Sequence, residues 1–533
     1  MIVLLSGSVA SGKSTLASLL SERFGFEVVK TWQLLKTVKP DVPQDRESLQ
    51  ALGEELDKKT GGQWVVEELD KVVRTKTEAL IVVDAVRIQG QIDFVRRGFG
   101  ASVKHIHLEA PNETLAKRYK TRTGKQIKEF DSYEEVLKNE TEREVPKLAD
   151  TADIVVDTNR NTPEDVLVRS ACHLGLFGRG YNRVVDVLIG GQYGSEGKGQ
   201  VAAFLAPEYD LLVRVGGPNA GHSVYEQPKS VIFHSLPSGT LRATNAQIVI
   251  GAGAVVNVET LWHEINNCQL DHRRLTIDPN VVTISEADIE REKGNVAGIA
   301  STGQGVGAAS ARRILDRGVS QVQLAKDIEK LKPYVRPAHD VIESACRQQQ
   351  KIFLEGTQGT GLSLFHGSYP HVTSRDTTVA GCLSEAGISP SRVRKIVMVC
   401  RTYPIRVQNP DGDGKTSGPM SQEISLAEIE TRSGISLNEL RKTETTSTTR
   451  RRRRISEFDW VLLKKAAELN APTDIALTFV DYFSIKNQNA RRFEQLTLDT
   501  VRFIQEVERV AEAPVSLIST RFHHRSIIDR RVW

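Results

Sequence analysis

Two stretches of this chain share one pattern: an apolar run, a glycine-rich loop, then apolar positions recurring at helical spacing. The first is Ile2-Val-Leu-Leu followed by GSVASGKST; the second is Val184-Val-Asp-Val-Leu-Ile followed by GGQYGSEGKGQ. Each predicts a buried strand feeding a phosphate loop and a helix, so each is expected to open a domain. Further apolar runs at 79–83, 105–108, 154–156, 248–250 and 351–354 alternate with charged stretches of helical length. That alternation predicts an α/β fold with largely parallel sheets: an N-terminal three-layer α/β/α P-loop NTPase domain and a second α/β domain. Between them, CHLGLFGRGYN (172–182) is rich in glycine and aromatic residues. It predicts a boundary near residue 180, with domains at 1–178 and 184–533.

Bulk numbers narrow the picture without changing it. A length of 533 residues exceeds one ordinary core. A net charge of +4, from 71 basic and 67 acidic residues, is too small to make nucleic acid or a membrane the main partner. Cys172, Cys268, Cys346, Cys382 and Cys400 are scattered without a C-x-x-C pair. They predict reduced thiols in a cytoplasmic setting and no zinc site. The opening MIVLLSGSVA lacks a basic start and a long apolar run, which argues against a signal peptide, and no stretch reaches the ~18 apolar residues of a membrane span.

In the first loop, Gly7, Gly12, Lys13 and Ser14 fit G-x-x-x-x-G-K-[ST], with Thr15 next. Its glycines let backbone N–H groups converge on phosphates at a helix N-terminus. Lys13 would neutralise the β- and γ-phosphates of ATP or GTP, and the Ser14 hydroxyl would bind Mg2+. Leu80–Asp84 is an apolar run ending in an acid, expected to help position the metal. Ala110–Arg118 and then Arg122 are similar to the basic lid of small nucleotide kinases, though a solvated basic helix face reads the same way on charge alone. The first ~180 residues therefore resemble P-loop nucleoside monophosphate kinases and related small-molecule kinases. No motif fixes the phosphoryl acceptor.

The second module carries six separated motifs. They are Gly190–Gly199 (GGQYGSEGKG), Gly216–His222 (GGPNAGH), STGQGVG from Ser301, EGTQGT from Glu355, YPHVTS from Tyr369, and Thr448-Thr-Arg450 leading into the arginine run to Arg454. In this order they resemble adenylosuccinate synthetase, of the shorter archaeal and phage type. The resemblance implies a C–N ligase that phosphorylates the 6-oxygen of a purine nucleoside monophosphate and lets L-aspartate displace the phosphate. It also implies a homodimer. Ser195, Lys198 and His222 match catalytic positions. Gly194, Gly197, Gly199 and Asp481 match donor-nucleotide positions, and Gly221 matches a Mg2+ ligand. Asn219, Thr302, Gln358 and Thr373 match positions holding the monophosphate, while Thr449, Arg451 and Arg453 match those gripping aspartate and phosphate. Arginine runs also serve nuclear localisation or nucleic-acid contact. This one follows a threonine-rich loop and precedes a helical pattern from Phe458, which favours a planar fork for carboxylates.

Three departures from the family matter. Ser195 stands where an aspartate is expected, a change shared with phage enzymes that build 2-aminoadenylosuccinate from dGMP. It implies a guanine-type acceptor, GMP or dGMP, with IMP close behind. The guanine-reading T-K-x-D is Thr478-Phe-Val-Asp481, and S-T-G-P is Ser519-Thr-Arg521-Phe522. Both weaken the expectation of GTP in favour of ATP as donor. Arg312, Arg313 and Arg317 lie near the family's partner-subunit arginine, with Asp316 in the matching register. The same substitutions leave open a second reading, a nucleotide-binding sensor or assembly protein with an altered ligase site.

Overall fold

A computed structural model describes residues 1–74, 80–121, 132–177, 182–226, 229–295, 297–318, 322–412, 414–445, 452–523 and 526–533. The chain divides into two compact units, Met1–Arg179 and Gly180–Trp533.

In the first unit the strand Ile2–Ser6 is buried throughout. Ile2 and Leu4 pack with Trp64, Leu69, Val83 and Ile92, whereas Val3 and Leu5 pack with Leu16, Leu20 and Ile106. Alternate side chains of a strand face opposite ways, so a strand covered on both faces reads as a continuous apolar run. Among the described residues the parallel sheet runs Glu27–Lys30, Ile81–Asp84, Ile2–Ser6, Val103–Glu109, Ile154–Asp157. The first strand is thus central, and its loop leads into the helix Lys13–Phe24, capped by Gly12 at φ 101°. The basic stretch after Ala110 forms the helix Asn112–Thr121, while Arg122 lies outside the described residues.

Among the described residues the largest sheet of the second unit has nine strands. They run in the order Leu275–Ile277, Gln247–Ile250, Leu211–Arg214, Ile352–Glu355, Val185–Gly190, Val393–Arg401, Asp474–Thr478, Val515–Ser519, Ile527–Asp529. Neighbours are parallel except the last pair. Asp186 interrupts the apolar pattern of the first strand, and its buried carboxylate is satisfied by the Tyr209 hydroxyl (2.6 Å) and by Arg394 (2.9 Å). The carboxyl ends of the central strands carry polar groups, and Glu355 is the register partner of Arg214 as Arg401 is of Thr478. Ligands bind outside that edge of an open α/β sheet. Among the described residues no helix is long and apolar enough to cross a membrane. Cys172 is exposed and the other four thiols are buried and free.

Candidate functional site

In the first unit the loop turns its lysine inward: Lys13 Nζ donates to the carbonyls of Gly7 (2.7 Å) and Ser8 (2.8 Å). The Ser14 hydroxyl donates to Asp84 Oδ2 (2.7 Å), so the two groups expected to hold Mg2+ are brought together. Both are hard oxygen donors, the set Mg2+ favours alongside substrate phosphates. Behind the loop, the Ser6 hydroxyl bridges His105 Nε2 (2.6 Å) and His107 Nδ1 (2.8 Å). Burial holds both imidazoles down at about 4, with cations (Arg96 for His105, Lys13 for His107) acting the same way. Arg118 is held by the hydroxyl and carbonyl of Thr158 (2.9 and 2.8 Å). Lys13, Ser14, Thr15, Asp84 and Arg118 line a cavity of about 780 Å3, within the usual range for small-molecule sites.

In the second unit the loop after Val185–Gly190 is cross-braced. Glu196 is fully buried, and its Oε1 accepts from the amides of Gln192 (3.1 Å) and Gly194 (2.8 Å). Its Oε2 meets Lys198 Nζ at 2.5 Å, and Lys198 is itself buried. Gly197, at φ 87°, caps the helix Lys198–Leu205. Ser195 is the exposed member of this otherwise covered run, and Arg401 reaches its carbonyl at 3.5 Å. Gly190 permits a close approach: a Cβ there would lie 2.4 Å from the Gln358 carbonyl, so the first and fourth motifs are in contact.

The strand that begins at His222 lies beside the same helix. A Cβ on Gly199 would be 3.0 Å from His222 Cβ, and Gln200 Oε1 accepts from the Tyr225 amide at 2.9 Å. His222 Nδ1 is 2.6 Å from Glu355 Oε1, the oxygen that also takes Arg214 Nη1 (2.5 Å) and the Ser238 hydroxyl (2.5 Å). An ionised carboxylate only accepts, so Nδ1 carries the proton and Nε2 presents a lone pair. Burial pushes His222 down to about 3, with Arg214 adding to the effect against the pull of Glu355. Burial alone would raise Glu355, yet Arg214 and His222 hold it at about 2. The free site therefore holds a neutral histidine backed by a carboxylate.

The remaining motif loops close around this centre. Gly217 abuts Val306, and Gly307 abuts Ser374. Asn219 Oδ1, Thr302 Oγ1 and Ser374 Oγ are buried without a partner. A buried polar atom left unpaired is costly, so each is a position for a ligand or water. Gln358 Nε2 donates to Thr373 Oγ1 (2.7 Å). A smaller space of about 290 Å3 is lined by Gly216, Val306, Ser374, Arg375 and Glu385.

At the far side, Arg401 is fully buried between Glu444 (2.6 Å) and the face of Phe479 (4.0 Å). Tyr482 donates to the same Glu444 oxygen (2.6 Å), and Arg453 reaches the other at 3.3 Å. Thr449 and Arg451 lie outside the described residues, so Arg453 alone of that set has a described position. Asp481 Oδ1 is buried and unpartnered, and burial pushes this carboxyl up to about 7. Arg312 is tied to Asp288 (2.8 Å) and Arg313 to the Ala252 carbonyl, whereas Arg317 is exposed.

Glu355 and Glu196 lie within the motifs but carry no role in them, and Arg214, Ser238, Arg401 and Glu444 lie outside them. A usable signal was present: a charge closing an apolar strand, as in Leu211-Leu-Val-Arg214, Ile352-Phe-Leu-Glu355 and Met398-Val-Cys-Arg401. Such a charge is paid for only at a site or in a pair.

The adenylosuccinate synthetase family profile matches residues 187–329 and 316–488, and an AAA domain profile matches 3–145. Adenylosuccinate synthetase of Thermococcus sibiricus is 34% identical over 358 residues, spanning 65% of this chain and 98% of that protein. The enzyme of Methanocaldococcus jannaschii is 35% identical over 353 residues, spanning 65% and 96%. Among solved structures, succinoaminodeoxyadenylate synthetase of cyanophage S-2L, bound to dGMP and to dATP as energy donor, superposes with a TM-score of 0.56 at 25% identity, covering 66% of this chain and 96% of that one. Fully ligated adenylosuccinate synthetase of Plasmodium falciparum gives 0.55 at 21%, covering 66% and 100%.

Proposed function

The chain belongs to the adenylosuccinate synthetase family and is a C–N ligase fused to a P-loop kinase-like domain, and on that premise we propose that its ligase domain, 184–533, joins L-aspartate to C6 of GMP or dGMP with an adenine nucleotide as phosphoryl donor. One observation carries the choice of purine: Ser195 offers a small exposed hydroxyl where an acid is expected, next to buried Glu196 and Lys198. A hydroxyl leaves room for the 2-amino group and can accept its hydrogen bond. The cyanophage relative, bound to dGMP and dATP, supports the same reading.

The purine 6-oxygen attacks the γ-phosphorus, the β–γ bridging bond breaks, and a nucleoside diphosphate leaves. The aspartate amine then adds at C6 and inorganic phosphate departs with the former 6-oxygen. The proton lost at N1 passes to solvent water, since the Ser195 hydroxyl does not act as a base near neutral pH. Lys198 and the loop around Gly194, Gly197 and Gly199 face the transferring phosphoryl. His222 takes up a solvent proton at Nε2 as phosphate charge arrives beside it, with Glu355 stabilising the cation, and gives that proton to the 6-oxygen as phosphate leaves. Asn219, Thr302, Gln358 and Thr373 hold the monophosphate. Thr449, Arg451 and Arg453 hold aspartate, and Asp481 reads the donor base beside Phe479. Mg2+ would rest on the Gly221 carbonyl and phosphate oxygens, screening their charge.

In the kinase domain, 1–178, Gly7, Gly12, Lys13 and Thr15 would cradle the donor phosphates, and Ser14 and Asp84 would hold Mg2+, which would screen the phosphate charge. A homodimer is supported by Ile314 and Leu315, 61% and 64% exposed beside Arg317. The deciding assay offers aspartate, Mg2+ and each pairing of IMP, GMP or dGMP with ATP or GTP, and reads succinylated purine by mass. Activity confined to IMP overturns the guanine assignment, and strict GTP selectivity overturns the adenine donor. Ser195→Asp should shift preference toward IMP.

A further inference from the structure

Three arginines of the second unit are buried among its described residues, and they differ in what meets their charge. Arg214 is paired with Glu355 at 2.5 Å, and Arg401 with Glu444 at 2.6 Å. Arg406 is 5% exposed, and the charged and titratable groups acting on it are Tyr193 and Arg454, with no carboxylate among them. Burial presses it below the ordinary arginine range, with Tyr193 opposing that effect and Arg454 adding to it.

The strand Ile405–Val407 places Ile405 in an apolar cluster with Tyr403 and Ile455, so Arg406 faces the other way. Its guanidinium carbon lies 4.2 Å from the centroid of the Tyr193 ring. Nη1 donates to the carbonyls of Ser417 (2.5 Å) and His371 (3.4 Å). Opposite it in register, Arg454 donates to the Ser417 hydroxyl (2.8 Å) and has Glu423 for its own charge (3.0 Å). Tyr193 belongs to the loop Gly190–Gly199, His371 to YPHVTS and Arg454 to the arginine run. Three of the six motifs converge on this one cation.

Stacking sets the plane of the guanidinium, and the bonds from Nη1 set its rotation within that plane. What remains is the edge carrying Nε and Nη2, and both nitrogens are buried without a partner. This edge presents two parallel N–H bonds, the pair that fits the two oxygens of a carboxylate. In the same unit Arg312 uses it on Asp288, Nε at 3.0 Å and Nη2 at 2.8 Å, and Arg394 uses it on Asp186. Arg214 leaves the same two nitrogens unbonded, but Glu355 already meets its charge through Nη1. Among the buried arginines described in this unit, Arg406 alone combines an open edge with an unmet charge. A buried cation without a counter-ion is destabilising, and a bound anion relieves it.

Resting on the ligase reading above, we propose that the Nε–Nη2 edge of Arg406 binds one carboxylate of the L-aspartate substrate. The loop amides and Lys198 serve the donor phosphates, and Asn219, Thr302, Gln358 and Thr373 serve the monophosphate. The dicarboxylate is the remaining anion of the reaction, and a planar two-oxygen group is what this edge fits. The 6-oxygen and N7 of a purine also span such an edge, yet as neutral acceptors they leave the charge unmet. Tyr193 lies two residues before Ser195, so the carboxylate rests beside the loop that faces the purine. Arg406 then selects the amine: one that lacks the carboxylate leaves the guanidinium buried and bare.

The test uses the full chain with ATP, Mg2+ and GMP, dGMP or IMP, and reads succinylated purine by mass while L-aspartate is varied. Arg406→Met should raise the aspartate KM about thirtyfold or more and leave both nucleotide KM values within about twofold. Arg406→Lys keeps the charge without the fork and should raise the aspartate KM about tenfold. The unfolding midpoint of Arg406→Met should equal or exceed that of the parent chain, because an unpaired buried charge has gone. An unchanged aspartate KM overturns the proposal. A rise confined to the monophosphate KM also overturns it and assigns the edge to the phosphate or the base. A lower midpoint with all three KM values raised together overturns it in favour of a structural role. Equilibrium dialysis of labelled L-aspartate against the full chain and Arg406→Met, with GMP, ADP and Mg2+ present, separates this site from the ligase reading. If no purine is succinylated that reading fails, while aspartate binding lost with Arg406 sustains the carboxylate site. No aspartate binding to the parent chain overturns it.

Discussion

The two phosphate loops are built alike and charged differently. Each follows a buried central strand, each ends at a glycine in the left-handed region, and each helix begins on the lysine. In the first, Lys13 donates to the backbone carbonyls of Gly7 and Ser8, which orient the ammonium. In the second, Lys198 lies against the buried Glu196 carboxylate, which also occupies two loop amides. The second loop already contains its own anion, the Glu196 carboxylate. A glycine-lysine motif therefore specifies backbone shape, and one neighbouring carboxylate decides how much charge that shape offers a ligand.

Replacing each lysine sharpens the contrast most. Lys198→Ala strands a buried carboxylate and should destabilise its unit by about 3–5 kcal/mol, seen as a lower denaturant midpoint, together with loss of succinylation. Lys13→Ala should cost stability only about 1 kcal/mol while lowering phosphorylation by about 10²–10³-fold. Equal stability losses would break the comparison. His222→Ala should lower succinylation about 10²–10⁴-fold and leave phosphorylation unchanged, measured on one preparation.

Acid acts on the support beneath the first loop. His105 and His107 are held near 4 against an ordinary 6.5, so between those values the unfolded chain binds more protons. The stability they allow is complete above about pH 6.5, falls as the pH drops toward 4, and falls no further below that. The loss is on the order of 3 kcal/mol for each histidine. Hydrogen exchange across Val103–Glu109 should accelerate through this window, and His107→Gln should flatten the response. The smallest effect belongs to Phe479→Leu. Removing the ring under Arg401 should cost about 1–2 kcal/mol, read from the unfolding midpoint, without creating GTP preference.

Much of the fold was legible because both first strands are buried on both faces and so appear as unbroken apolar runs. The motif loops were legible because their glycines and polar residues are local in sequence. The partners were not. Glu355 lies 141 residues from Arg214 and 117 from Ser238, and only sheet order brings them to His222. Arg401 and Glu444 lie 43 residues apart, and the arginine run at 450–454 beyond them draws attention away from the pair. Lys198 looked like a ligand for phosphate alone, because nothing in its local pattern announces that Glu196, two residues away, folds back onto it.

The pairing of Glu355 opposite Arg214 has a further consequence. Side chains alternate along a strand, so a slip of one position between Leu211–Arg214 and Ile352–Glu355 would rotate the carboxylate to the far face. The imidazole would then lose its counter-ion while every residue of the motifs stayed present. Correct alignment of two neighbouring strands is thus a condition for turnover, and a misassembled sheet yields an inert molecule instead of one with altered chemistry.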